Sequence, residues 1–136
     1  MPEAPLGLLL CDDLIFTSRV TGTARDLGLA IKPARSAGAL LDLARQQAPR
    51  CVLIDLANPG LVLTDLLRQL GEVCPVMPRL VAYGSHVDTA TLKAARAAGC
   101  DPVLPRSKFV EDLPRELPRW LGEVAPPPGE HPQAGA

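Results

Sequence analysis

The sequence predicts a doubly wound α/β domain, a five-stranded parallel sheet in the order 2-1-3-4-5 with helices on both faces. Three observations predict it. Short apolar runs and amphipathic stretches alternate five times along the chain. The stretches between the runs are long enough for parallel crossovers, and right-handed crossovers place helices on both faces. The runs at Leu8 and Leu53 are the most apolar, so the first and third strands belong at the centre, where both faces are buried.

Leu6 to Cys11 is the first strand, and Asp12-Asp13 follows it as an acidic loop. Phe16, Val20, Ala24 and Leu27 then recur at helical spacing, and Gly28 stops that helix. Ala30 to Pro33 is a short strand whose proline lacks an N–H and so suits a sheet edge. Ser36 caps the next helix, with Leu40, Leu41, Ala44 and Ala48 as its buried stripe and Pro49 as its end.

Cys51 to Ile54 is the third strand. It ends on a single acid, Asp55, and Asn58-Pro59-Gly60 turns the chain. Asp55 is either a loop cap or a functional carboxylate delivered to the strand's carboxyl end. Leu63, Leu66, Leu67 and Leu70 form the third helix, and Leu80 to Tyr83 the fourth strand. Asp88 or Ser85 caps a helix over Thr89 to Ala98, closed by Gly99. Val103 to Pro105 is a brief fifth strand leading to Arg106-Ser107-Lys108. The last helix carries Val110, Leu113, Leu117, Trp120 and Leu121 on one face. Pro114 and Pro118 are expected to shorten or kink it. One domain over residues 1–123 is therefore expected, with a Pro/Gly-rich disordered tail over 124–136.

Composition narrows the function classes. Fourteen Lys and Arg against 15 Asp and Glu give no electrostatic reason to expect a nucleic acid or an anionic membrane as partner. Aromatics are only 3%, so the core is built from aliphatic residues. Cys11, Cys51, Cys74 and Cys100 form no C-x-x-C pair and read as buried thiols of a reducing compartment, hence a cytoplasmic protein. No apolar run reaches membrane-spanning length. No phosphate-binding glycine loop, nucleophile elbow or zinc-binding motif occurs, which argues against a nucleotide-dependent enzyme.

With the first and third strands adjacent, Asp12, Asp13 and Asp55 are expected in one crevice. Three carboxylates repel one another unless a cation sits among them, and oxygen-only ligands suit a hard ion such as Mg²⁺. On these residues the chain resembles the receiver domain of two-component response regulators, of CheY-like (flavodoxin-like) fold, over about Leu6 to Gly122. The acid pair, Asp55 with the Asn58-Pro59 loop, Ala98-Gly99 before the fifth strand and the basic residue after it carry the resemblance.

The resemblance implies a bacterial phosphorelay protein with no enzymatic activity beyond phosphorylation and dephosphorylation of its own Asp55. Asp55 would be the phosphoacceptor. Asp13 and Asp55 would bind Mg²⁺ directly, Ala57 would lend its backbone carbonyl, and Asp12 would act through water. Arg106 would be the phosphate-facing cation. A histidine kinase or phosphotransfer protein would be the donor. Output would be altered binding of a protein partner, or of a second copy, at the fourth and fifth helices.

The family pattern is broken at named positions. Gly84 stands where receivers carry a Thr or Ser switch hydroxyl, leaving Ser85 or Tyr83 to replace it. Arg106-Ser107 replaces Lys-Pro, and Val103 replaces an aromatic. The leading expectation is a stand-alone atypical receiver. The alternative is a pseudo-receiver acting as a phosphorylation-independent adaptor, and a weaker third is an enzyme acting on a small phosphorylated compound.

Overall fold

The computed structural model describes residues 4–122; the tail expected at 124–136 lies outside them. Strands and helices alternate as β1 (Leu6–Leu10), α1 (Leu14–Asp26), β2 (Ala30–Ala34), α2 (Ala37–Gln46), β3 (Cys51–Asp55), α3 (Leu63–Val73), β4 (Arg79–Gly84), α4 (Thr89–Ala98), β5 (Val103–Pro105) and α5 (Arg106–Gly122). All neighbouring strands pair in parallel in the order β2-β1-β3-β4-β5. The expected sheet is therefore the one formed.

The period-2 alternation of the strands sorts the core into two layers. Leu8, Leu10, Val52, Ile54 and Ala82 meet the apolar stripes of α2, α3 and α4 on one face. Leu9, Leu53, Val81 and Tyr83 meet α1 and α5 on the other. Every aromatic residue of the chain lies in this second layer. Tyr83 stacks on Phe109 at 4.4 Å and lies 5.1 Å from Phe16, and Phe109 continues to Trp120 at 6.1 Å. Gly7 permits a close approach here, because a Cβ on it would come within 2.5 Å of Ile31 Cδ1.

Local signals behave as their chemistry requires. Asp88, rather than Ser85, caps α4 by accepting from the Thr91 amide, and Gly99 closes that helix at φ +111°. Pro33 sits in the edge strand, where its missing N–H leaves no ladder bond open.

Two expectations are corrected. α5 runs unbroken from Arg106 to Gly122 through Pro114 and Pro118. The two prolines lie four residues apart on the exposed side of the helix, away from the core. Leu27 and Ala48 are exposed, because α1 and α2 end before them and their stripes lose their period. Trp120, by contrast, seals the core edge against Phe109, as its place on the apolar face of α5 implies.

Candidate functional site

Asp55 is the last residue of β3 and keeps only 8% of its surface exposed. Its Oδ1 accepts from the Ala57 amide at 2.9 Å, and its Oδ2 accepts from the Cys11 thiol at 3.5 Å. The turn beyond it is stitched down by the Asn58 amide, which donates to the Asp55 carbonyl at 3.0 Å. The Asn58 side chain donates to the Arg35 carbonyl at 3.2 Å, tying this turn to the β2–α2 loop. Asp55 is thus both a loop cap and a carboxylate held at the open end of the sheet.

The acid pair is arranged differently from the expected three-carboxylate cluster. Asp13 is the N-cap of α1, and its Oδ1 accepts from the amides of Ile15 and Phe16 at 3.0 and 3.1 Å. Its Oδ2 accepts from Arg106 at 3.2 Å. The Phe16 amide first, then Arg106 and the Ile15 amide, hold this carboxyl below its ordinary value, against an opposing effect of desolvation. Asp12 pairs with Arg35 at 3.1 Å. Among the described residues, no three acidic, His or Cys side chains gather closely enough to form a metal cluster. Each member of the pair has its own arginine, which answers the repulsion that was expected to demand a shared cation.

A cavity of about 670 Å³ opens in front of Asp55 at the carboxyl ends of β3 and β4. Asp55, Ala57, Ser85 and Arg106, all singled out in the sequence, share its lining; Asp12 and Asp13 stand outside that lining. Arg106 lies with its guanidinium carbon 4.2 Å from the Phe16 ring centroid, a cation–π contact. Ser85 is exposed and its Oγ accepts from the Val87 amide at 3.3 Å, so the hydroxyl at the rim is partly spent on the loop. Tyr83, next to the hydroxyl-less Gly84, is fully buried, and its hydroxyl has no hydrogen-bond partner. Burial first, then the charge of Asp55 and the neighbouring Cys11 thiol, raise its pKa far above the ordinary phenol value, so the hydroxyl keeps its proton. Lys108 is outside the site and pairs along α5 with Glu111 and Asp112.

Several participants were not legible in the sequence. Arg35 is distant from Asp12 in the chain, and nothing in its surroundings marks it as a partner. Phe16 reads as a core position and Arg19 carries no signal in the sequence, yet both line the cavity. Cys11 carried one usable signal, its place directly before the acid pair.

Of the expected oxygen ligands for a hard cation, Asp55 and Ala57 line the cavity, whereas Asp12 is held by Arg35 outside that lining. Both oxygens of Asp13 are engaged, so its recruitment to a metal requires Arg106 to leave.

No family model and no curated protein matches the sequence. Solved structures do match its fold. The receiver domain of NtrX from Brucella abortus is 21% identical with a TM-score of 0.73, over 88% of this chain and 99% of that one. Against the longer NtrX chain in complex with ADP, identity is 23% and the TM-score 0.75, and this chain spans 27% of that length. A Saccharomyces cerevisiae co-crystal structure of the histidine phosphotransfer protein Ypd1 and the receiver domain of Ssk1 matches at 15% identity and TM-score 0.73, covering 88% and 90%. A Burkholderia pseudomallei response regulator with a phosphorylated aspartic acid, calcium ion and citrate matches at 21% and 0.69, covering 80% and 64%. At these identities the likeness is one of fold: this chain has the fold of response-regulator receiver domains.

Proposed function

We propose that this chain is a signalling receiver that accepts a phosphoryl group on Asp55. The observation that carries the reading is the position of Asp55, a nearly buried carboxylate ending a central strand and facing a cavity with Arg106 on its wall. In the reaction one Asp55 oxygen bonds to phosphorus while the donor's P–N or P–O bond breaks, and the leaving group keeps the electron pair. Arg106 neutralises charge on the transferred oxygens and can grip two of them at once. Mg²⁺, when bound by Asp12, Asp13, Asp55 and the Ala57 carbonyl, would supply further charge neutralisation and fix the phosphoryl geometry. The phosphorylated aspartate of the Burkholderia neighbour and the phosphotransfer protein bound in the yeast neighbour support this chemistry and this kind of donor. Among the described residues no helix is long and apolar enough to cross a membrane, which agrees with a cytoplasmic phosphorelay. Output would pass through the α4–β5–α5 face to a protein partner.

A second reading is favoured by one observation, the engagement of both Asp13 oxygens by backbone amides and Arg106. In that reading arginine replaces the metal permanently, and the fold serves as an adaptor without phosphorylation. Intact mass after incubation with acetyl phosphate and Mg²⁺ separates the two. Gain of one phosphoryl group by the wild type but not by Asp55→Ala supports the receiver. No gain in either leaves the adaptor.

A further inference from the structure

The cavity in front of Asp55 is much larger than a phosphoryl group requires. An aspartyl phosphate adds one phosphorus and three oxygens, whereas about 670 Å³ lies within the range of sites that take whole small molecules. Its walls divide by chemistry. Phe16 and Val110 give an apolar surface, and Arg19, His86 and Arg106 give polar heads.

Charge favours one class of ligand. Two guanidinium groups line the cavity against a single carboxylate, Asp55, which already accepts two hydrogen bonds. Arg19 has no ion-pair partner among the described residues, although most other arginines of the helices do. Arg19 also stands one helical turn beyond Phe16, so its head lies over the same mouth as Arg106.

We propose that this cavity binds a small organic anion, its flat apolar body held between Phe16 and Val110 and its acidic group taken by Arg19 and Arg106. This goes beyond the phosphoryl-acceptor reading and does not rest on it, because neither Asp55 nor Mg²⁺ is needed to hold the anion. The two uses of the cavity meet at Arg106, so an occupied cavity draws that guanidinium away from Asp13 and couples the ligand to the acid pair.

The test is a fluorescence titration of the folded protein with anilinonaphthalene sulfonate, an aromatic anion whose emission rises on leaving water. Phenyl-naphthylamine, the same ring system without the sulfonate, is the paired probe. Saturable binding at one site is expected. The affinity should fall about tenfold or more for the neutral probe and for the Arg19→Gln/Arg106→Gln double variant, as loss of charge-assisted hydrogen bonds implies. Val110→Trp, which fills the apolar wall, should also abolish it. Both sets of positions are at least partly exposed, and circular dichroism checks that each variant folds. Absence of saturable binding, equal binding of the neutral probe, or binding that the double variant and Val110→Trp leave within about twofold overturns the proposal. Asp55→Ala removes the one carboxylate of the lining and should bind the anionic probe at least as tightly as the wild type while gaining no phosphoryl group, so failure of phosphorylation and failure of this site are read separately.

Discussion

Arg106 reaches back across the carboxyl edge of the sheet to Asp13, with Nη2 3.2 Å from Oδ2 and its guanidinium laid over the Phe16 ring. Residues 93 apart in sequence are joined because α5 starts directly at the end of β5, where Arg106 is the first helical residue. The pair places a fixed positive charge on the carboxylate that a receiver would give to a metal.

Removal of that charge should favour a divalent cation. Arg106→Gln is expected to tighten Mg²⁺ binding about two- to fivefold, the range that an exposed ion pair can contribute. Isothermal titration with MgCl₂ measures it. An unchanged or weaker affinity would mean that the guanidinium does not compete for Asp13.

The cap at Asp13 can be separated from its charge. Asparagine can still accept from the Ile15 and Phe16 amides but cannot pair with Arg106, whereas alanine does neither. Asp13→Ala should therefore lower the urea midpoint more than Asp13→Asn. The native carboxyl lies below its ordinary value of 3.8. Its stabilising contribution is present above that value and is lost as pH falls through the lower native one. The wild type should lose stability on acidification below about pH 4 more steeply than Asp13→Asn. Parallel acid titrations would contradict the assignment.

Tyr83 carries a hydroxyl that is buried without a hydrogen-bond partner. Tyr83→Phe keeps the stacking on Phe109 and removes only that group. Its expected effect on urea-induced unfolding is neutral to stabilising, by up to about 1 kcal/mol. A loss of more than about 1 kcal/mol would show that the hydroxyl is satisfied in solution, with Asp55 or Cys11 as the partner to examine.

All four thiols are free and buried. Burial pushes Cys51 up to about 12 and Cys100 up to about 11 from an ordinary 9.0. A native value above the unfolded one gives stability that is complete below pH 9.0 and is lost as pH rises toward those native values. The unfolding free energy should therefore decline from pH 9 upward, and Cys51→Ala should flatten that decline. The native protein should also resist a disulfide-exchange thiol reagent until denaturant is added. Rapid labelling of the folded chain at neutral pH would contradict the burial.

The sheet was legible because its information is local. Five apolar runs, four amphipathic stripes and the signals at Gly28, Ser36 and Gly99 each lie within a few residues, and together they leave one strand order. The α5 prolines misled because whether a helix tolerates proline depends on which side faces water. Leu27 and Ala48 misled for another reason: α1 and α2 end before them, so the helical period no longer turns them to the core.

At the site the sequence by itself determined the place of Asp55, at the end of a strand apolar enough to be central, and the place of the acid pair beside it. Only the tertiary structure decided their partners. Arg35 comes from the β2–α2 loop and Arg106 from the start of α5, and their long side chains meet Asp12 and Asp13 only after the sheet has aligned those segments at one edge. The cavity is decided in the same way, by α1, the β4–α4 loop and the start of α5. A strand's burial is written in its own residues, while an ion pair or a cavity wall depends on which distant segments the completed fold sets side by side.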